Sequence, residues 1–260
     1  MWNIEMIKLF IGTSEVEDRW IEQIYLYSLF KNTKEKLDIT FLRPSMFKDW
    51  NTKGWGTPFT CFRYAVPELM GFKGRAIYTD VDQLNFRDIS ELYETDLEDH
   101  AFAMAWDALH DNGTAWASTK YDKGWYCDSV MVIDCEKAKE YIEPISKIKT
   151  CPYNYKHVFI KAMGNPYRDI GQSRITQLDS RWNSFDGRDT SNRPKDDNVE
   201  LIPQLELDEI WHLHFTSLST QPWHPMYTPW GKCTYPREDI AEIVWDYARK
   251  VKMIANPEEF

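Results

Sequence analysis

The sequence predicts an α/β domain with a mostly parallel sheet flanked by helices. Three observations predict it. Short apolar runs alternate with stretches whose apolar residues recur at helical spacing, in the order strand, helix, strand, helix, strand. The 260 residues are enough for one large core or two small ones. No internal repeat and no linker divides them, so the chain reads as a single domain over residues 1–260.

The elements follow in order. "IKLFIGTSE", Ile7 to Glu15, reads as a buried strand that ends in Gly12-Thr13-Ser14. "EDRWIEQIYLYSLFKNT" is a helix whose apolar stripe is Trp20, Ile21, Ile24, Tyr25, Ser28 and Leu29. "LDITFLRP" is a strand stopped by Pro44, and "TPFTCFRYAVPELMGF" is a helix interrupted near Pro67. "GRAIYTDVD" is the next strand. "HAFAMAWDA" and "SVMVIDCEKAKEYIEPI" add two strands and a helix. Residues 183–199, beginning "NSFDGRDTSNRPKDDN", are polar and read as a flexible surface loop. "IWHLHF" is a short strand with aromatic and His residues on alternating sides, and "REDIAEIVWDYARKVKM" is an amphipathic helix.

Composition limits the partners. A net charge of -10 repels phosphate backbones, which argues against a nucleic-acid partner. Five cysteines with no CxxC pair indicate reduced, cytoplasmic-type usage rather than a disulfide frame. The first residues carry acid where a signal peptide needs base, and no run approaches transmembrane length. Peripheral membrane contact stays open, and so does the oligomeric state. The 12 Trp, 14 Tyr and 13 Phe supply a large core and suit sites for flat or sugar-like ligands.

The chemistry concentrates in "YTDVDQ". Asp80 and Asp82 stand one residue apart at the end of an apolar strand. In open α/β sheets, ligands sit outside the carboxyl ends of the strands. Two carboxylates that close repel each other unless a cation joins them. Hard divalent ions take oxygen ligands, and Mg²⁺ sites commonly combine one or two carboxylates with substrate phosphates. His212 and His214 are two apart and share a strand face, and an imidazole beside two carboxylates favours Mn²⁺ over Ca²⁺. The plainer alternative is an Asp-x-Asp surface turn beside a core histidine.

The block "FTCFRYAVPELMGFKGRAIYTDVDQLNFRDISELYETDL" resembles the centre of glycosyltransferase family 8, the group of glycogenin and bacterial lipopolysaccharide galactosyltransferases. Arg63 and Pro67 match its Arg-x-x-x-Pro element, Asp80-Val81-Asp82 its Asp-x-Asp, and Asp88 to Tyr93 its "DISELW"-like tail. "IKLFIGTSE", "YCDSVMVIDCEKA", "SRWNSF" and "HFTSLSTQPWHP" resemble further blocks in the family's order. Departures accompany them. Gln221 stands where the family has Lys, the segment from His214 to Pro222 is one residue longer, and Cys127-Asp128-Ser129 replaces Asn-Ser/Ala-Gly. No Asp-Gln element is found between Ile142 and Trp182.

The resemblance implies a GT-A-type, Rossmann-like fold. It implies a metal-dependent transferase that moves a sugar from a nucleotide-diphosphate donor, UDP-linked, with retention of configuration. It implies Mn²⁺ (or Mg²⁺) held by Asp80, Asp82 and His214. Gly12, Thr13, Ser14, Arg63, Asp80 and Gln221 would border the nucleotide-sugar. Arg63 offers a forked donor to phosphate or sugar hydroxyls, or else a structural ion pair. Asp128 is the one nameable carboxylate for a double displacement, and a same-face attack needs none. The proline- and aromatic-rich segment 221–236, with Trp223 and Trp230, suits a glycan or glycolipid acceptor, or else packs the last helix on the sheet. Two other classes compete: a metal-dependent phosphohydrolase of nucleotide-sugars, and a non-catalytic binding protein on the same fold.

Overall fold

A computed structural model describes residues 6–15, 19–107, 125–150, 175–190, 203–216, 220–223, 226–228 and 231–255. Its centre is a six-stranded sheet. The strands are β1 (Ile7–Gly12), β2 (Leu37–Leu42), β3 (Arg75–Asp80), β5 (Phe102–Asp107), β6 (Trp125–Asp134) and β7 (Ile175–Leu178). Their order is β2-β1-β3-β6-β5-β7. β1 pairs in parallel with β2 and β3, and β5 with β7. β6 runs antiparallel to both of its neighbours, so it alone is reversed among the six. The mostly parallel sheet expected from the alternation is what forms.

The sequence explains why these strands sit at the centre. β1 reads IKLFIG and β3 reads RAIYTD, and nearly every position of both is buried. Such continuous apolar runs suit strands covered on both faces. Helix α1 (Arg19–Asn32) covers one face through Ile21, Ile24, Tyr25, Ser28 and Leu29, all buried. Trp20 departs from the expected stripe. It lies 40 % exposed and packs its ring against Trp245 of the last helix, Glu238–Ala255. Pro67 lies in the first turn of a short helix, Val66–Leu69, which continues a 3-10 turn over Thr60–Ala65. A proline is tolerated in a first turn because its missing N–H has no intrahelical partner there. The break expected at Pro67 therefore falls just before it.

A second, three-stranded sheet orders β4 (Gln83–Asn85), β9 (His212–His214) and β8 (Ser184–Phe185) as β4-β9-β8. Its registers pair Gln83 with His214 and Phe185 with His214. This corrects the expectation of a flexible loop over 183–199, as far as residues 183–190 are concerned. Asn183, Ser184, Asp186 and Thr190 are buried there. Their polarity serves internal hydrogen bonds rather than water. Asp186 accepts from Tyr235 Oη at 2.6 Å and from the Thr216 backbone N–H and hydroxyl. Residues 191–199 lie outside the described residues. Among the described residues no helix is long and apolar enough to cross a membrane.

Candidate active site

The chain steps from β1 outward to β2, then returns across β1 to lay down β3. The order of strands therefore reverses between β1 and β3, and a crevice opens outside their carboxyl ends. Gly12 and Asp80 are register partners at that point. The Val81 N–H donates to the Gly12 carbonyl at 3.0 Å, which turns the chain toward Asp82 and β4. The Phe215 N–H donates to the Asp82 carbonyl at 3.0 Å, so the end of β9 is tied to the same turn. The local backbone thus gathers Asp80, Asp82 and His214. Each offers a ligand atom, and these atoms lie within 4.8 Å of one another. His214 Nε2 is 3.6 Å from Asp82 Oδ1, too long for a hydrogen bond. Two carboxylates and an imidazole make a donor set that suits Mn²⁺.

His212 is placed elsewhere. Its Nε2 meets Gln83 Oε1 at 2.9 Å and Tyr25 Oη at 3.3 Å, and its Nδ1 meets Asn85 Oδ1 at 3.2 Å. Burial, and then the neighbouring His214, push its pKa down to about 3, so it is neutral. It is a structural histidine one strand repeat below the cluster.

Arg63 joins Asp80 of this cluster to Asp128. Its Nη2 donates to both oxygens of Asp80, at 2.8 and 2.9 Å, and its Nη1 donates to Asp128. Tyr78 donates to Asp80 Oδ1 at 2.6 Å, and Tyr64 donates to Asp128. Burial works against the Arg63 charge, but Asp128 and then Asp80 outweigh it and hold the guanidinium protonated. Burial first, and then the carboxylate each one serves, push the Tyr64 and Tyr78 phenols far above their ordinary value. Asp128 reaches this network through an irregularity in β6. β5 pairs Ala103 with Val132 but Ala105 with Cys127, so the stretch from Asp128 to Met131 leaves the β5 ladder, while Val130 and Met131 stay paired with Thr79 and Tyr78 of β3. Bulges of this kind redirect side chains beside active sites.

The remaining predicted residues divide. Gln221 belongs to the cluster: its Nε2 donates to the Phe215 carbonyl at 3.0 Å and lies 3.4 Å from Asp82 Oδ2. Gly12 belongs to it for a reason other than the one expected. A Cβ there would lie 2.1 Å from Tyr78 Oη, so the close approach is made by a tyrosine of the site's own wall. Thr13 is buried, and its hydroxyl donates to Glu22 at 2.7 Å. Arg43 also grips Glu22 and donates to the Ser14 carbonyl at 3.0 Å. The loop after β1 is thereby fixed from behind. Trp223 packs edge-on against Phe215, their centroids 4.7 Å apart, and Trp230 lies outside the described residues.

Sequence reasoning missed Tyr64, Tyr78, Ser129, Asn183 and Glu22. Two of these left a signal. Tyr78 and Asp80 are two apart on a strand and so share a face. Glu22 is a carboxylate inside a buried helical stripe.

No protein-family model matches the chain, and no curated protein sequence matches it. Solved structures do. The galactosyltransferase LgtC, in complex with donor and acceptor sugar analogues, superposes with a TM-score of 0.60 at 14% identity, over 94% of this chain and 96% of that one. The bifunctional glycosyltransferase WbbM gives 0.58 at 12% identity, over 94% of this chain and 49% of that one. The glycosyltransferase GlyE of Streptococcus pneumoniae TIGR4 gives 0.56 at 17%, over 94% of this chain and 60% of that one. The chain has the fold of these glycosyltransferases.

Proposed function

We propose that this protein is a metal-dependent glycosyltransferase that takes a sugar from a nucleotide-diphosphate donor, UDP-linked, and passes it with retention to a glycan or glycolipid-type acceptor. One observation carries the reading. On a fold shared with glycosyltransferases, Asp80, Asp82 and His214 converge outside the carboxyl ends of β1 and β3. Breaking the donor's glycosidic bond leaves a diphosphate, and a divalent ion held by these three residues would neutralise it as a Lewis acid.

The chain's own residues support the rest. Arg63 joins Asp80 to Asp128 and contacts both Asp80 oxygens, so a cation at Asp80 would share that carboxylate with the guanidinium. The Asp128 carboxylate is engaged by Arg63 and Tyr64. Such engagement suits an anchoring group better than a free nucleophile, and it favours same-face attack over double displacement. Gln221 presents an amide, not a cation, beside Asp82. A divalent ion held there would supply the neutralisation of the leaving group that this amide does not. The acceptor reading rests on segment 221–236, of which Trp223 is part-buried against the core.

A thermal-shift screen of nucleotide-sugars with and without Mn²⁺ tests the proposal. A donor at 100 times its Kd stabilises the native state by about 2.7 kcal/mol. The expected result is a rise in Tm for one donor that requires Mn²⁺ and vanishes in Asp82→Asn. In a turnover assay of the same donor, release of a nucleoside monophosphate and a sugar phosphate would favour a phosphohydrolase. Binding without turnover would favour a non-catalytic role. No response to any nucleotide-sugar would overturn the reading.

A further inference from the structure

His214 lies on a side of the site that carries no carboxylate hydrogen bond to its ring. Its Nδ1 is 3.0 Å from Ser129 Oγ. That hydroxyl receives a hydrogen bond from Asn183 Nδ2 at 3.0 Å and lies 3.1 Å from Cys127 Sγ. Ser129 and Asn183 are both buried, at 3 % and 0 % exposure. Ser129 is itself held in place, because its carbonyl accepts from Gln83 Nε2 at 3.1 Å. Phe185 stands edge-on to the imidazole at 5.4 Å, and the Asp186 N–H donates to the His214 carbonyl at 2.9 Å.

Donor and acceptor counting allows the direction that a cation at Nε2 would require. A serine hydroxyl has one proton and two lone pairs. Asn183 Nδ2 fills one lone pair. The hydroxyl proton has an acceptor in Cys127 Sγ at 3.1 Å. The second lone pair is then left to accept from His214 Nδ1–H. A neutral imidazole protonated at Nδ1 has a bare Nε2, and Nε2 is the atom that faces Asp82. The hydrogen bond made by one ring nitrogen decides which nitrogen binds a metal. It also fixes ring rotation, since the χ2 torsion of histidine is intrinsically broad.

We propose that Ser129, anchored by Asn183, is a positioning residue that holds His214 as its Nδ1–H tautomer and presents the Nε2 lone pair to the cation shared with Asp80 and Asp82. The proposal rests on the reading that a divalent cation binds there. It assigns the expected flexible segment an opposite role, because Asn183 begins that segment and acts as a rigid support.

The test uses two independent readouts on the full chain. Long-range proton–nitrogen spectra of histidine-labelled, metal-free protein report the tautomer. Wild type should show His214 protonated at Nδ1, and Ser129→Ala should show a mixture or the Nε2–H form. Calorimetric titration with Mn²⁺ should show an affinity about 10- to 100-fold weaker in Ser129→Ala. Asn183→Leu should shift both readouts the same way by less, and it decides the matter if Ser129→Ala fails to fold. A purely structural role would lower the Tm and leave the tautomer unchanged. An Nε2–H His214 in wild type overturns the proposal. So does a Ser129→Ala protein with unchanged tautomer and unchanged Mn²⁺ affinity, when Asp82→Asn has lost that affinity. A wild type that binds no Mn²⁺ instead sinks the cation reading, and the spectra still decide the anchor.

Discussion

On one wall of the cleft Arg63, Tyr64 and Tyr78 direct their donors at Asp80 and Asp128. On the other, Ser129, Asn183 and the β8 backbone hold His214 with no formal charge. The difference follows from what each wall has to present. Carboxylates packed together need cationic and hydroxyl partners to stay buried. A histidine that offered Nε2 to a cation would have to be neutral, and any acceptor on Nδ1 fixes its tautomer and ring orientation. Here that acceptor would be a neutral hydroxyl. The acidic wall should therefore fail by charge and the histidine wall by geometry.

The acidic wall breaks hardest at Arg63. Replacing Arg63 by Met leaves Asp80 and Asp128 buried without their guanidinium, and removing one partner of a buried ion pair costs ~3–5 kcal/mol. Denaturant unfolding should show that loss. Arg63→Lys should recover only part of it, since an ammonium cannot fork between two carboxylates. If Arg63→Met unfolds like wild type, the two acids do not depend on Arg63 and the contrast between the walls fails.

High pH attacks the same wall. Tyr64 and Tyr78 have phenols held far above the ordinary value near 10. Their stabilising contribution is complete below that value. Above it the unfolded chain ionises these groups while the folded protein keeps them protonated, so stability is lost as pH rises. The slope is about 1.4 kcal/mol per pH unit for each group. The thiols of Cys61 and Cys135, pushed up to about 12 chiefly by burial, add to it. Phenolate absorbance from Tyr64 and Tyr78 should appear only in step with unfolding. Its appearance in the folded state would show that the wall is open to water.

These contrasts were unevenly legible in the sequence. The carboxylate cluster was readable because it is local: Asp80 and Asp82 end an apolar strand, and Arg63 and Pro67 precede it at a fixed spacing. The sheet was readable because strands buried on both faces leave continuous apolar runs. The histidine wall was not. It is assembled from residues 129, 183 and 214, which meet only where β6 of the central sheet faces β9 and the turn before β8. The same polarity that made residues 183–190 look like a solvated loop is what a buried neutral frame requires. Composition does not distinguish a polar group facing water from one facing a partner. Gly12 shows the same limit, since the residue it makes room for is Tyr78, 66 positions away.

Gly12 offers a milder break in the acidic wall. Gly12→Ala places a Cβ 2.1 Å from Tyr78 Oη, so the ring has to move and its hydrogen bond to Asp80 is strained. Overpacking of this kind costs ~1–3 kcal/mol. Tyr78→Phe in the same protein removes the clashing oxygen and should return part of the loss, giving a coupling in a double-mutant cycle. Strict additivity of the two changes would mean that Tyr78 swings aside without consequence and that Gly12 is a turn glycine only.

The smallest effect concerns Gln221, which lies between the walls. Its amide reaches Asp82 on one side and the Phe215 carbonyl at the end of β9 on the other. Gln221→Lys puts an ammonium at the same place. In the metal-free protein it should pair with Asp82, whose side chain keeps 19 % exposure although position 221 is buried, with an attraction of ~1 kcal/mol. A cation arriving at Asp82 then has to displace that pair, so Mn²⁺ affinity should fall about fivefold by titration calorimetry. The metal-free Tm should change little, because the lost amide contact and the new ion pair offset each other. A second possibility is built into the same experiment. If the 221 side chain faces the donor's phosphates instead of the cation, the variant should bind a nucleoside diphosphate more tightly in the presence of Mn²⁺ and leave Mn²⁺ affinity alone. That outcome would assign Gln221 to the donor. A fivefold loss of Mn²⁺ with no gain in nucleotide affinity would assign it to the acidic wall, as a neutral side chain that leaves Asp82 available to the metal.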